Sequence, residues 1–227
     1  MTGTVWLSRV PSNGELGDKP GLRSKLPGVP WEAPYERHCV PLESDAQIEV
    51  RHRYYRGEPL LLEEFREASA IYDARCFRRM KQMFFAGAAC MVVRERLADV
   101  LSQFDLGPMG LIPYPIYEAD EVTPHPGPFW LIGLGVQKAT FLPEESRNFE
   151  NYGQHHKTGK YVYGVNSDVG DDDMALTAAA LDGPDLWVEA GFKGRLWMSD
   201  RLAQALLAAD FGFDWMLSRC RIVGGRA

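Results

Sequence analysis

Leu196-Trp197-Met198-Ser199-Asp200-Arg201-Leu202-Ala203-Gln204-Ala205-Leu206-Leu207-Ala208-Ala209-Asp210-Phe211-Gly212 reads as strand, cap, helix and stop. Three apolar residues that suit a strand run into Ser199, whose hydroxyl can accept a bond from a first-turn amide, and Asp200, whose charge suits the positive end of the helix dipole. Leu202, Ala205, Leu206 and Ala209 then recur at helical spacing. Gly212 follows where a left-handed stop costs a residue without Cβ least.

The same unit occurs earlier in the chain. Residues 91–107 align with 196–212 without gaps, and Arg96/Arg201, Leu97/Leu202, Ala98/Ala203, Leu101/Leu206, Asp105/Asp210 and Gly107/Gly212 are identical. Arg94 stands where the second copy has Ser199, so the first helix should begin less sharply. Each copy precedes another apolar run, residues 111–116 and 214–219. Cap, stop and following strand coincide, which predicts an α+β chain of mixed sheets and amphipathic helices built on a duplicated strand-helix-strand unit, over about 90–117 and 195–222.

Outward from this pair, residues 1–35 are rich in proline and glycine and are expected to be an arm over the domain, with Trp6, Leu7, Val10 and Trp31 as possible pins. A single domain over 36–223 follows, and a disordered tail, 224–227. Residues 48–55 alternate as a strand would, 60–73 fit a helix, and 74–85 continue apolar and basic, with Arg75, Arg78, Arg79 and Lys81 on a solvated face. A proline-rich loop spans 118–128, strands are expected at 129–132, 161–165 and 185–188, a loop into a short helix at 142–146, and an alanine-rich helix at 174–181.

Several function classes drop away on composition. A net charge of -6 argues against phosphate neutralisation, so no nucleic-acid partner is expected. No run nears the roughly 18 apolar residues that span a bilayer, and the start of the chain does not look like a signal peptide, so a cytoplasmic protein without membrane contact is expected. Cys39, Cys76, Cys90 and Cys220 are widely spaced, as reduced thiols are.

Chemical motifs are equally sparse. The acidic loop at 168–173 fails the calcium-loop template, with Gly170 at its third position and Ala179 at its twelfth. His155 and His156 are adjacent and lack the spacing of a ligand pair. Gly133-Leu134-Gly135 lacks the third glycine of a dinucleotide loop, and Glu144/Glu145 suit a helix start. No catalytic residue, metal or cofactor is assigned. Trp187, Phe192, Trp197, Met198, Phe211, Phe213, Trp215 and Met216 gather near the second copy; most suit a core, and any that is exposed would make a recognition surface.

The two copies, with Val92-Val93-Arg94-Glu95-Arg96-Leu97 and Met198-Ser199-Asp200-Arg201-Leu202, together with residues 178–188 and Phe129-Trp130-Leu131-Ile132, resemble the immunity-protein-eleven family of bacterial polymorphic toxin systems over about 76–223. The resemblance implies a non-enzymatic cytoplasmic protein that binds and silences a cognate toxin, and it carries no functional residues. For the toxin-binding patch the expectation falls on Asp168, Asp171, Asp172 and Asp173, whose charge suits a basic nuclease. The alternatives are a metal-dependent hydrolase using His155, His156 and the acidic loop, and a structural or adaptor protein.

Overall fold

A computed structural model describes residues 3–10, 16, 21–25, 31, 45–65, 67–73, 81–86, 90–156, 159–192 and 194–224. The two copies are the strand Cys90–Arg94 with helix Glu95–Leu101, and the strand Leu196–Ser199 with helix Asp200–Ala208. Equivalent residues face inward: Leu97, Ala98 and Leu101 in one helix, Leu202, Ala203 and Leu206 in the other. Ser199 Oγ accepts from the Leu202 amide at 3.3 Å, while Arg94 makes no side-chain cap, and the first helix is the shorter.

The stop is built differently from the expectation. Asp210, at φ 67, takes the left-handed turn, and Gly212 opens a short helix, Gly212–Trp215. Gly212 is not in the left-handed region, and a Cβ there would displace only the exposed end of Leu207, whose Cδ2 would lie 2.5 Å away.

Sheet order extends the duplication. In a four-stranded sheet the order is Met83–Ala86, Cys90–Arg94, Phe129–Gly133, Gly110–Pro113. In a six-stranded sheet the central order is Leu186–Glu189, Leu196–Ser199, Val5–Ser8, Leu217–Val223, with Gln137–Lys138 and Ala175–Thr177 at its edges. Each module is thus an antiparallel pair, a helix and an outer strand, with a middle strand antiparallel to both neighbours. Even the register matches. Phe129, Trp130 and Leu131 oppose Arg94, Val93 and Val92, and Val5, Trp6 and Leu7 oppose the equivalent Ser199, Met198 and Trp197.

The first module takes its middle strand from downstream, the second from the start of the chain. Residues 5–8, expected in an arm, are therefore an interior strand, with Val5 and Leu7 buried and the Trp6 indole donating to Asp200 at 2.8 Å. Between the modules the helices make reciprocal contacts. The Arg96 guanidinium lies 5.5 Å from the Phe211 ring centre, and Arg201 lies 5.7 Å from that of Phe104.

Asp185 links the modules chemically. Its buried carboxylate accepts from the Ser199 hydroxyl, from Arg201 (Nε at 2.6 Å) and from the Asp105 amide of the first copy at 2.9 Å. Burial by itself pushes this carboxyl up, but Arg201, Ser199 and Asp105 outweigh it and hold the group below its ordinary range. Asp173 is held down in the same way, against burial, by the Gly170 amide, Asn148 and Arg147. Both folded values lie below the unfolded one, near about 4, so this stabilisation is complete above that pH and is lost as the pH falls through the folded values. Urea titrations are expected to lose stability steeply below about pH 4, and Asp185→Asn and Asp173→Asn proteins to lose it less steeply from a lower starting point. An unchanged acid slope in both variants would contradict this.

Four local expectations are corrected. Residues 48–55 lie in the helix Asp45–Tyr55, not a strand; acid at its start and His52 and Arg53 at its end suit the dipole, and Tyr54 alone among its residues is fully buried. Residues 60–73 give a single helical turn, Leu62–Glu64, and the strand Ala68–Ile71, buried on both faces between Leu22–Lys25 and Ile116–Tyr117. Residues 174–181 give the strand Ala175–Thr177, parallel to Leu217–Val223, and a turn, Ala178–Leu181. Residues 214–219 divide between Gly212–Trp215 and the last strand. Arg75, Arg78, Arg79, Cys39, Cys76 and residues 225–227 lie outside the described residues. Among the described residues no helix is long and apolar enough to cross a membrane.

Candidate partner-binding surface

One face of the six-stranded sheet carries Val5, Leu7 and Trp197 and is covered by a two-stranded hairpin, Phe149–Gln154 with Tyr161–Val165. Aromatic rings fix its base. Phe141 lies 5.2 Å from Phe149, 5.2 Å from Tyr163 and 4.9 Å from Phe192, which in turn lies 4.8 Å from the buried Trp197. Such edge-to-face contacts resist sliding as well as burying area. The Tyr163 amide donates to Gly191 at 2.9 Å, an approach that needs glycine: φ there is +90, and a Cβ would meet the Tyr161 carbonyl at 2.9 Å.

The outer half of the hairpin is solvated. Tyr152 is 65% exposed and Tyr161 49%. The Tyr152 ring lies over Gly164, where any Cβ would collide with it, and its hydroxyl bonds Glu150. Tyr161 stacks on Tyr163 at 6.1 Å. These phenols are presented on a braced element rather than a loose loop.

The acidic loop sits at the hairpin's base. Asp168, Asp171 and Asp172 are exposed, but Asp173 is 4% exposed and turned inward, accepting from Arg147 Nε at 2.6 Å, Asn148 Nδ2 at 2.8 Å and the Gly170 amide at 2.7 Å. It holds the loop together, with its carboxylate turned away from solvent. Asp171 accepts from the Arg219 amide and side chain at 2.8 and 2.9 Å, and the Asp172 amide donates to the Arg219 carbonyl, so the loop is laced to the last strand.

His155 and His156 lie beyond the strand end, at the hairpin tip, with rings stacked at 4.9 Å rather than on opposite faces. A six-residue strand spans roughly 20 Å, so tip and acidic loop stand at opposite ends of this hairpin. The residues of the hydrolase alternative are not brought together. Among the described residues no group of three or more His, Cys, Asp or Glu is placed to hold a metal. Of the aromatic residues gathered near the second copy, Phe213 is the one strongly exposed, at 77%, with Lys81 Nζ 5.3 Å from its ring centre.

Motif reading passes over two arginines, one of which, Arg195, lies within electrostatic reach of Tyr152. Ser8 opposes Leu196 at the last rung of the central ladder, and Arg9 and Arg195 are the residues that flank this rung where the two strands end. Arg9 donates to the Ser167 carbonyl, just after the hairpin. Burial first, and then the charge of Arg9, lower the pKa of Arg195. Their proximity could be found only from strand register. No family model matches this chain, and no curated protein and no solved structure matches it.

Proposed function

We propose that the chain is a non-enzymatic binding protein of the immunity type, which occupies the surface of a cognate toxin in the cytoplasm. The observation that carries this reading is the presentation of Tyr152 and Tyr161 on a hairpin anchored through Phe141 and Phe192 to the buried Trp197. Rigid, amphipathic aromatic residues supply contact area at small entropic cost and dominate interface energetics. A duplicated scaffold supplies the rigidity, and the family resemblance supplies the toxin as partner.

Co-expression with the product of the adjacent gene tests the reading. That product is expected to kill cells alone, to be silenced by this chain and to co-purify with it. Tyr152→Ala and Tyr161→Ala are each expected to weaken the complex by about tenfold to a hundredfold in Kd, measured by titration calorimetry, with melting temperature unchanged for Tyr152→Ala, whose side chain is 65% exposed. A non-toxic neighbour that never co-purifies would refute the proposal.

A further inference from the structure

Opposed residues in an antiparallel ladder have Cβ atoms roughly 4.5–5.5 Å apart, and like charges directly opposite are destabilising. Arg9 and Arg195 flank the last rung, Ser8 and Leu196, and stand close enough for the charge of each to be felt by the other. Strand alternation puts Arg9 on the face of Val5 and Leu7, and Arg195 on the face of Trp197, which is the same face, at the margin of the hairpin. Both side chains are half-buried.

Desolvated guanidinium groups are ordinarily paired with acids. Here Arg9 uses one Nη on the Ser167 carbonyl, its Nε is buried with no partner, and among the described residues neither arginine forms an ion pair. This occurs in a chain carrying 31 acidic residues against 25 basic ones, so carboxylates are not scarce. The Asn166 Oδ1 beside Ser167 is also buried without a partner, which marks an incompletely satisfied polar corner. Two like-charged, half-buried guanidinium groups with N–H donors not taken up by the protein are matched chemically by an oxyanion.

We infer that Arg9 and Arg195 form a receptor for a single oxyanion, a carboxylate or phosphoryl group, entering beside Tyr152. Each planar fork can give two parallel N–H···O bonds, and one bridging anion removes the repulsion between them. The oxyanion belongs either to an acidic side chain of a partner protein or to a small phosphorylated molecule. The inference stands whether or not the partner is a toxin.

The test follows the arginine Nε–H signals by NMR while inorganic phosphate, and separately an acetylated, amidated Gly-Glu-Gly peptide, are titrated at ionic strength held constant with chloride. At least one probe is expected to shift both signals saturably and to raise the melting temperature, as a ligand of the folded state must. Tighter binding of phosphate assigns a free phosphorylated ligand, and tighter binding of the peptide assigns an acidic side chain of a partner. Arg9→Gln and Arg195→Gln are each expected to weaken binding by about tenfold or more. Without probe, Arg195→Gln should melt no lower than the parent, because it relieves repulsion. Flat titrations with both probes, shifts that survive both substitutions, or a lowered melting temperature for Arg195→Gln without probe would overturn the receptor.

Discussion

A chain that begins at Val10 is expected to lose cooperative unfolding, seen as a missing calorimetric transition and a collapsed near-ultraviolet dichroism signal. The deleted strand lies between Leu196–Ser199 and Leu217–Val223 and is hydrogen-bonded to both. Val5 and Leu7 are 1% and 0% exposed, and Ser8 Oγ donates to the Trp215 carbonyl at 2.6 Å. Burial of the two apolar side chains contributes roughly 3–6 kcal/mol, and its loss leaves two strand edges bare beside Trp197. Against a total stability of about 5–15 kcal/mol, that loss is decisive. The matched control is a circular permutant. Val5 opposes Cys220, so the ends of the last and first strands lie side by side. A short linker from Gly224 to Gly3, with new termini between Pro126 and Gly127 in the exposed loop, should melt cooperatively. A cooperative transition in the truncated chain would show that the middle strand is dispensable.

The same strand marks the limit of what could be read from sequence. Residues 91–107 and 196–212 were legible because cap, helix face and spacing are local signals. Val5-Trp6-Leu7 was not, since its likeness to Phe129-Trp130-Leu131 is a few residues long and acquires meaning only when both are seen in equivalent registers. Proline and glycine downstream made the whole segment look like an arm. Residues 48–55 misled for a different reason. Short polar alternation fits either periodicity, and contacts such as the Tyr54 hydroxyl with the Ile132 carbonyl at 2.8 Å come from across the fold.

The candidate site divides along the same line. Aromatic richness near the second copy was visible, yet Trp187, Trp197 and Trp215 are core, and the exposed tyrosines lie on a hairpin whose sequence reads as polar and turn-rich. Asp173 belongs to a run of identical aspartates, and only the geometry of Arg147, Asn148 and Gly170 separates it from its exposed neighbours. Sequence shows composition and local period; it does not show which of several identical side chains turns inward.

Glu189→Ala is expected to cost about 4 kcal/mol and to lower the melting temperature by roughly 10 °C, although Glu189 belongs to no motif. Its carboxylate is 0% exposed and accepts from four donors: the Thr140 amide at 2.8 Å, the Thr140 hydroxyl at 2.5 Å, the Phe141 amide at 3.2 Å and the Trp187 indole at 2.8 Å. The group bends the chain out of the edge strand Gln137–Lys138 so that Phe141 reaches the ring cluster under the hairpin. Lys138 Nζ, 3.5 Å from the Trp187 ring centre, closes the same corner by donating to the Ala180 and Asp182 carbonyls. Truncation strands all four donors away from water, whereas Glu189→Gln keeps one oxygen for the Thr140 and Phe141 amides, lets the Thr140 hydroxyl turn to accept and leaves only the Trp187 indole N–H unmatched, so its cost should be about 2 kcal/mol. Thr140→Val removes one donor and should cost about 1 kcal/mol. Because Phe141 braces the tyrosine hairpin, the alanine variant should also loosen Tyr152 and Tyr161, seen as faster exchange of the hairpin amides at temperatures where the protein remains folded. If Glu189→Ala cost no more than Thr140→Val, the four-donor carboxylate would not be what holds this corner, and the rigidity of the exposed tyrosines would have to come from the ring contacts alone.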